Sequence, residues 1–397
     1  RAGRAAPALA LCLRGGDRGV ASASGAGMRI ALVVPGGVDR SGERRVIPAL
    51  VALVRRLATR HELHVYALRQ EPRAGEWVLH GATVHNLGDT SPGPRCCLAV
   101  VRAHRAAPFD VVHAVFGGSV GCAAVAAARA IARPSLVHVA GGELVALDDI
   151  GYGGARRYAT RVRERWTLRA ATVVTAASAP ILAQIVALGV RAHRVPLGVD
   201  RDGWPASPPR RRPPGAPARL VHVASLNAVK DQATLLRAVA RLVADGVPLH
   251  LDVVGEDTLG GRVQALARDL GVEAHVAFHG FLTQRESRAL VERADLNVIS
   301  SRHEAGPLVV LEAAVAGVPT VGTAVGHVAE WAPDAAVAVP CADPAALAAA
   351  IARVLADEPF RLSLAAAAQR RALAEDATHT AAAFERLYGS AIAARTE

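Results

Sequence analysis

Two carboxylates eight positions apart, Glu304 and Glu312, flank the run Ala305-Gly306-Pro307-Leu308-Val309 within SSRHEAGPLVVLEAAVAGVPT. An ionised carboxylate is an acceptor for hydroxyl hydrogens and can take two at once. The Gly-Pro pair between them permits a tight loop and opens a helix, because proline suits the first helical turn. Free N–H groups at such a helix start favour a phosphate. Acid, anion-binding turn and acid in a row suit a ligand that presents hydroxyls, phosphate and hydroxyls again: a sugar, a diphosphate and a ribose. A cation is the missing partner, and the chain offers an unusual one. Of its 46 lysines and arginines only Lys230 is a lysine. An ammonium is a compact donor that arginine's planar fork does not always replace, so its survival in ASLNAVKDQATLL points to phosphate binding over a chance place on a solvated turn.

These residues need elements to hold them. Residues 294–299 read as a short buried strand, which puts Glu304 on a loop at a strand's carboxyl end. The helix that follows carries Glu312 about two turns in and stops at Gly317, and residues 318–321 read as the next strand. Lys230 follows a strand at residues 220–224 and precedes a helix. In open α/β sheets the crevice at the carboxyl ends of strands is where ligands bind. Further strands are expected at 28–34, 63–67, 111–115, 136–140, 172–175 and 194–197, with helices at 43–59, 119–132 and 155–170; this alternation means parallel sheet. Residues 201–218 hold six prolines and Arg210-Arg211-Arg212 and read as a linker. The expected organisation is an upstream extension (1–27), a first α/β domain (28–200), the linker (201–218), a second α/β domain (219–375) and a final helix (376–397).

Composition sets bounds. A chain of 397 residues, 51% hydrophobic and 20% charged, suits two globular domains, and its apolar runs are broken before a membrane-spanning length. Five cysteines without metal-type spacing predict no metal site and a reducing, cytoplasmic setting; Cys96-Cys97 reads as packing at a helix start. The net charge of +11 requires acidic partners to be weighed. Arg156, Arg157, Arg161, Arg163, Arg165 and Arg169 crowd one helix, several on one face. Two readings stand open: docking on an anionic membrane surface, each basic residue contributing about 1 kcal/mol, or a solvated face in an arginine-rich chain. Aromatic residues at 4% and no recognition motif argue against nucleic acid.

Taken in order, the Gly36-Gly37 loop, Val195-Pro196-Leu197-Gly198-Val199-Asp200, Lys230-Asp231 with Thr234-Leu235-Leu236, Val253-Val254-Gly255-Glu256, Phe278-His279-Gly280, the Glu304–Glu312 pair and Gly317-Val318-Pro319 resemble the retaining glycosyltransferases of family 4, the glycosyl transferases group 1. The resemblance runs from Met28 onward and implies a GT-B fold, two Rossmann-like domains facing a cleft, with the last helices crossing back to the first domain. It implies metal-independent transfer, with no cofactor, of a sugar from a nucleoside diphosphate sugar to a hydroxyl of a glycan, a lipid-linked acceptor or a small molecule. By resemblance Lys230 grips the diphosphate, Glu304 binds donor-sugar hydroxyls and Glu312 the ribose diol. The N–H groups of Ala305, Gly306, Leu308 and Val309 would cradle phosphate, Pro307 having none. Gly255, Asn227 and Ser225 fall on the donor side; Gly36, Gly37, Gly142 and Glu143 fall on the acceptor or diphosphate side. The chain departs from the pattern twice. Ser225 stands where many relatives have arginine, leaving Arg302 to be considered as a substitute, and Ala140 stands where many have histidine. His138 and His113 read as core histidines or cleft groups, and Ser178 as a helix cap.

Rivals of other classes are a non-catalytic nucleotide-sugar-binding subunit and a nucleotide-sugar epimerase on the same architecture. A nicotinamide dehydrogenase needs G-x-G-x-x-G after a strand, which is missing, and a P-loop needs Gly-Lys-Ser/Thr, whereas Lys230 precedes Asp231. The expected location is the cytoplasm, with peripheral attachment to the inner face of the plasma membrane if the basic helix docks there.

Overall fold

A computed structural model describes residues 27–395, so the upstream extension, its short apolar patch and Cys12 lie outside the described residues. The first sheet is built from β1 (Arg29–Val34), β2 (Glu62–Ala67), β3 (Gly75–Leu79), β4 (Ala82–Asn86), β5 (Val111–Val115), β6 (Ser135–Val139), β7 (Val173–Ala176) and β8 (His193–Arg194). Its spatial order is β3-β4-β2-β1-β5-β6-β7-β8. The second comprises β9 (Ala218–Val223), β10 (Leu249–Val254), β11 (Val276–Gly280), β12 (Leu296–Ile299), β13 (Thr320–Thr323) and β14 (Val337–Val339), in the order β11-β10-β9-β12-β13-β14. Every pairing is parallel except β3 with β4.

Parallel strands covered by helices on both faces need apolar residues on both sides. β5 and β6 are buried at every position. Each sheet accordingly carries two apolar layers. In the first, Ala31, Val33 and Val112 face one way and Ile30, Leu32 and Val111 the other. Strand order reverses between β1 and β5 in the first sheet and between β9 and β12 in the second. The crevices at those two reversals are where such folds hold ligands.

The fold agrees with the two-domain α/β architecture expected, and it differs locally. The β3–β4 hairpin is an addition that reading by helix-strand alternation passes over. Its signal is a two-residue turn, His80-Gly81, both at positive φ, between segments of alternating burial. The first helix starts at Pro48 rather than residue 43, because residues 38–46 close an irregular loop through the Val38–Val46 bridge and the Ile47 N–H bonds Gly37's carbonyl at 3.0 Å. The strand expected at 194–197 shrinks to β8, since Pro196 has no N–H to give a ladder.

The chain passes between domains twice, and the passes touch. The Ala377 N–H donates to the Val199 carbonyl at 3.0 Å, and Thr380 Oγ1 donates to the Pro196 carbonyl at 2.7 Å. A β-carbon on Gly198 would lie 2.1 Å from the Glu375 carbonyl oxygen, so only glycine lets the two segments cross. The final helix, Ala377–Ala393, packs Phe384 and Tyr388 under the first sheet beside Ile30 and Leu32. The proline-rich stretch is seated on the second domain: Trp204 is buried, and Arg361 donates to the Arg210 carbonyl at 2.6 Å.

Candidate active site

Lys230 follows β9 and Glu304 follows β12, neighbours at the strand-order reversal of the second sheet. That adjacency brings together two residues 74 positions apart. Lys230 Nζ lies 2.5 Å from Glu304 Oε1, and Ser301 Oγ donates to the same carboxylate oxygen at 2.7 Å. The lysine loop is held rigidly. Its N–H reaches Asn227 Oδ1 at 3.2 Å, its carbonyl accepts from Ser300 Oγ at 2.8 Å, and Asp231 caps the next helix, accepting from Thr234 Oγ1 at 2.7 Å.

A cleft of about 360 Å³ is lined by Lys230, Glu304, Gly306, Pro307, Leu308, Val309 and Glu312, by Phe281 to Gln284 of the second domain, and by Glu43, Val46 and Pro48 of the first. The helix over which it opens, Leu308–Val315, starts directly after Pro307. Its first N–H groups have no intrahelical acceptor and stand beside the lysine's loop. Glu312 is buried on this helix. Its Oε1 accepts from Gln284 Nε2 at 2.5 Å, while its carbonyl accepts from Trp204 Nε1 at 2.9 Å. Burial pushes the Glu312 carboxyl up to about 7, against the opposing pull of the Gln284 amide.

Other residues singled out from sequence take other places. Ser225 is exposed, with its carbonyl accepting from Gln232 Nε2 at 3.1 Å, and Asn227 shapes the lysine turn. Gly255 packs against the Ala224 backbone. None of these three lines the cleft. Gly36 and Gly37 pack on Arg69, Gln70 and Ile47, so the loop they begin reaches the cleft through Glu43 and Val46. Arg302 does not take the place of an arginine at Ser225: its guanidinium pairs with Asp149 of the first domain at 2.9 Å. Ser178 is not a cap. The Ala179 N–H is taken by Glu330 Oε2 at 2.8 Å, and Ser178 Oγ donates instead across the cleft to the Ala305 carbonyl. His113 and His138 are core residues, bonded to Tyr388 and Thr175 and packed on Phe384. Burial holds His138 down at about 3.

Sequence reading did not single out Gln284, His303 or Tyr152. His303 Nε2 lies 3.2 Å from the Gly141 carbonyl, and its ring is 6.0 Å from that of Tyr152, so a histidine from the second domain stands near Ala140. Thr283 and Glu286 form a capping box, a readable signal that would have put Gln284 at a helix start after β11. Among the described residues no group of three or more His, Cys, Asp or Glu is placed to hold a metal ion, and no helix is long and apolar enough to cross a membrane.

Comparison with known proteins fits this geometry. The sequence profile of the glycosyl transferase 4-like domain matches residues 41–199, and that of the glycosyl transferases group 1 matches residues 206–371. Glycogen synthase of Mycobacterium tuberculosis is 38% identical over 179 residues, covering 45% of this chain and 41% of the relative. D-inositol 3-phosphate glycosyltransferase of Salinispora arenicola is 32% identical over 230 residues, covering 54% and 51%. The chain thus spans about half or less of the length of these relatives. In three dimensions it superposes on Anabaena HepE, solved in complex with UDP and glucose, at a TM-score of 0.71 and 18% identity, covering 91% of this chain and all of the other. Sucrose-phosphate synthase of Thermosynechococcus elongatus gives 0.76 and 19%, covering 92% and 100%. Two profiles that meet at the linker and together cover most of the chain, on two Rossmann-like domains with the lysine and both glutamates in one crevice, place the chain in the glycosyl transferases group 1 family, with a 4-like amino-terminal domain, on a GT-B fold.

Proposed function

We propose that the protein is a retaining, metal-independent glycosyltransferase that moves a hexose or related sugar from a UDP- or GDP-type donor to an acceptor hydroxyl. The observation that carries this reading is the contact between Lys230 and Glu304, 2.5 Å apart and 24% and 12% exposed, in one cleft with Glu312 and a helix start. In the free protein Glu304 compensates the lysine's charge. A donor diphosphate takes over that role, helped by the N–H groups of Gly306, Leu308 and Val309, and releases Glu304 to accept sugar hydroxyls. Glu312, ionised, accepts the ribose diol. In the transfer the acceptor oxygen bonds the anomeric carbon as the bond to the diphosphate breaks, and the diphosphate leaves with the electron pair and accepts the hydroxyl proton. Ser178, Glu330 and His303 bridge the domains and help close the cleft against water, which limits hydrolysis. HepE, with its UDP and glucose, supports the choice of donor class.

The reading includes an anionic membrane surface as partner. The helix Tyr158–Ala170 exposes Tyr158 (75%) and Trp166 (43%) with Val162 between them, and Arg161, Arg165 and Arg169 run beside this stripe. An apolar face edged with arginine suits a headgroup boundary, on the cytoplasmic leaflet. The donor is tested by screening nucleotide sugars for thermal stabilisation and nucleotide release, with Glu304→Ala and Lys230→Ala beside the wild type. One donor that stabilises the wild type, with release lost in both variants, supports the assignment. Release surviving in both variants refutes it.

A further inference from the structure

The loop that carries Glu304 belongs to the second domain by sequence and to both domains by contact. Ala305 joins the apolar layer of the first domain that contains Val139, Ala176 and Ile181, and its carbonyl accepts from Ser178 Oγ. A β-carbon on Gly306 would lie 3.1 Å from the Ala177 β-carbon and 3.1 Å from His327 Nε2. The loop is thus pinched between the turn after β7 and the helix Gly326–Trp331. That helix abuts the loop at its own start as well: a β-carbon on Gly326 would lie 2.7 Å from Pro307 Cδ and 3.1 Å from the Glu304 carbonyl oxygen. Lys230 is seated otherwise, since Asn227 and Ser300, which fix its turn, are both residues of the second domain.

One side chain fixes how this helix meets the first domain. Glu330 lies on it with its carboxylate 13% exposed. Its Oε2 accepts the Ala179 N–H at 2.8 Å, at the start of the helix Ala179–Ala187, and lies 3.7 Å from His327 Nδ1. Its Oε1 lies 2.5 Å from Nε of Arg194, a residue of β8. The rest of the Arg194 fork donates to both oxygens of Glu375 at 2.6 and 2.7 Å, beside the chain's second crossing. Burial opposes a charge on Glu330, but His327, the Ala179 N–H and Arg194 outweigh it and hold the carboxyl below its ordinary range. Removing one partner from such a buried pair leaves the other uncompensated. The surface that Glu330 holds in place is the one on which the backbone of Glu304, Ala305 and Gly306 rests.

We propose, resting on the transferase reading above, that Glu330 is a positioning residue for the donor sugar. With Arg194 and Ser178 it clamps the first domain's turn 177–179 onto the loop 304–307 and so sets where Glu304 meets the sugar, while Lys230 keeps its grip on the diphosphate without it. Calorimetric titration with UDP and UDP-glucose, and with GDP and GDP-mannose, reads the two parts separately. In Glu330→Gln and Arg194→Gln the Kd of the sugar nucleotide rises at least fivefold more than that of the matching nucleoside diphosphate, a split that a general loss of folded protein does not produce. Hydrogen exchange of the free protein reads the clamp with no donor present. In Glu330→Gln and Ser178→Ala the peptide spanning residues 303–310 exchanges at least fivefold faster, and the peptide spanning 226–232 exchanges as in the wild type. Equal weakening of both ligands, an unchanged Kd for the sugar nucleotide, wild-type exchange over 303–310, or faster exchange over both peptides alike overturns the proposal. A wild type that binds neither pair of ligands, with the exchange response present, retains the clamp on the 304–307 loop and loses the transferase reading, so the two failures are distinct.

Discussion

Replacing Glu312 by glutamine should stabilise the protein at alkaline pH while harming its use of a nucleotide donor. The buried carboxyl titrates at about 7 instead of its ordinary 4.5, and at about 1.4 kcal/mol per unit this is about 3 kcal/mol. The sign follows from proton counts. Between pH 4.5 and 7 the folded chain holds a proton that the unfolded chain has released, so stability falls as pH rises, and the whole penalty is present above 7. Glutamine keeps the neutral shape, and its carbonyl still accepts from Gln284. Denaturant or thermal melts of wild type and Glu312→Gln at pH 4.5 and 8.5 read the difference. Glu164, which burial also raises to about 7, is present in both proteins and cancels. At about 2 °C per kcal/mol for a domain of this size, the variant gains about 6 °C at pH 8.5 and much less at pH 4.5. Nucleotide release should fall at least tenfold, because an amide cannot replace a carboxylate that accepts two hydroxyls. A variant no more stable than wild type at pH 8.5, or equally stabilised at both pH values, would refute the claim that burial governs Glu312.

Gln284→Ala removes the amide that favours the ionised Glu312; a hydrogen bond to a charged group is worth about 1.5–3 kcal/mol, so kcat/KM should fall about tenfold or more and the acid limb of its pH profile should move up. Gly198→Ala sets a β-carbon against the Glu375 carbonyl, and melts should show a loss of about 2–4 kcal/mol, with Gly389→Ala, open around its Cα, as the neutral control. For the ion pair, Lys230→Met and Glu304→Gln should each destabilise, their sum exceeding the double variant by about 0.5–3 kcal/mol; strict additivity would mean that the contact carries no energy. Changing Arg161, Arg165 and Arg169 together to glutamine should weaken sedimentation with phosphatidylglycerol-containing vesicles about 100-fold at about 1 kcal/mol each, and no binding by the wild type would dismiss the membrane partner.

How much of this was legible in the sequence depends on distance along the chain. The alternation of strand and helix, the loop positions of Lys230 and Glu304 and the burial of β5 and β6 follow from local pattern. That Lys230 touches Glu304 does not, since it requires β9 to lie beside β12, a strand order that no local signal sets. Arg302 and Ser178 misled for the same reason: their partners, Asp149 and Ala305, come from the opposite domain. Gln284 was missed although its capping box could be read, because a cap locates a helix start without saying which carboxylate it will face.

The two glutamates, so alike in sequence, sit in environments that assign them different work. Glu304 faces a cation and a serine hydroxyl, and its charge is compensated before any ligand arrives. Glu312 has one neutral donor and apolar neighbours, Val309, Val310 and Leu311 among them. A diphosphate entering the cleft therefore competes with Glu304 for Lys230, an exchange of one anion for another that holds the lysine's cost of desolvation nearly constant. A ribose entering beside Glu312 brings hydroxyl donors to a carboxyl near its titration point, and each donor draws the proton off. Under the proposed function, loading a donor would charge one acid and free the other, which would make the empty cleft a poor host for a lone sugar and a better one for sugar and nucleotide together.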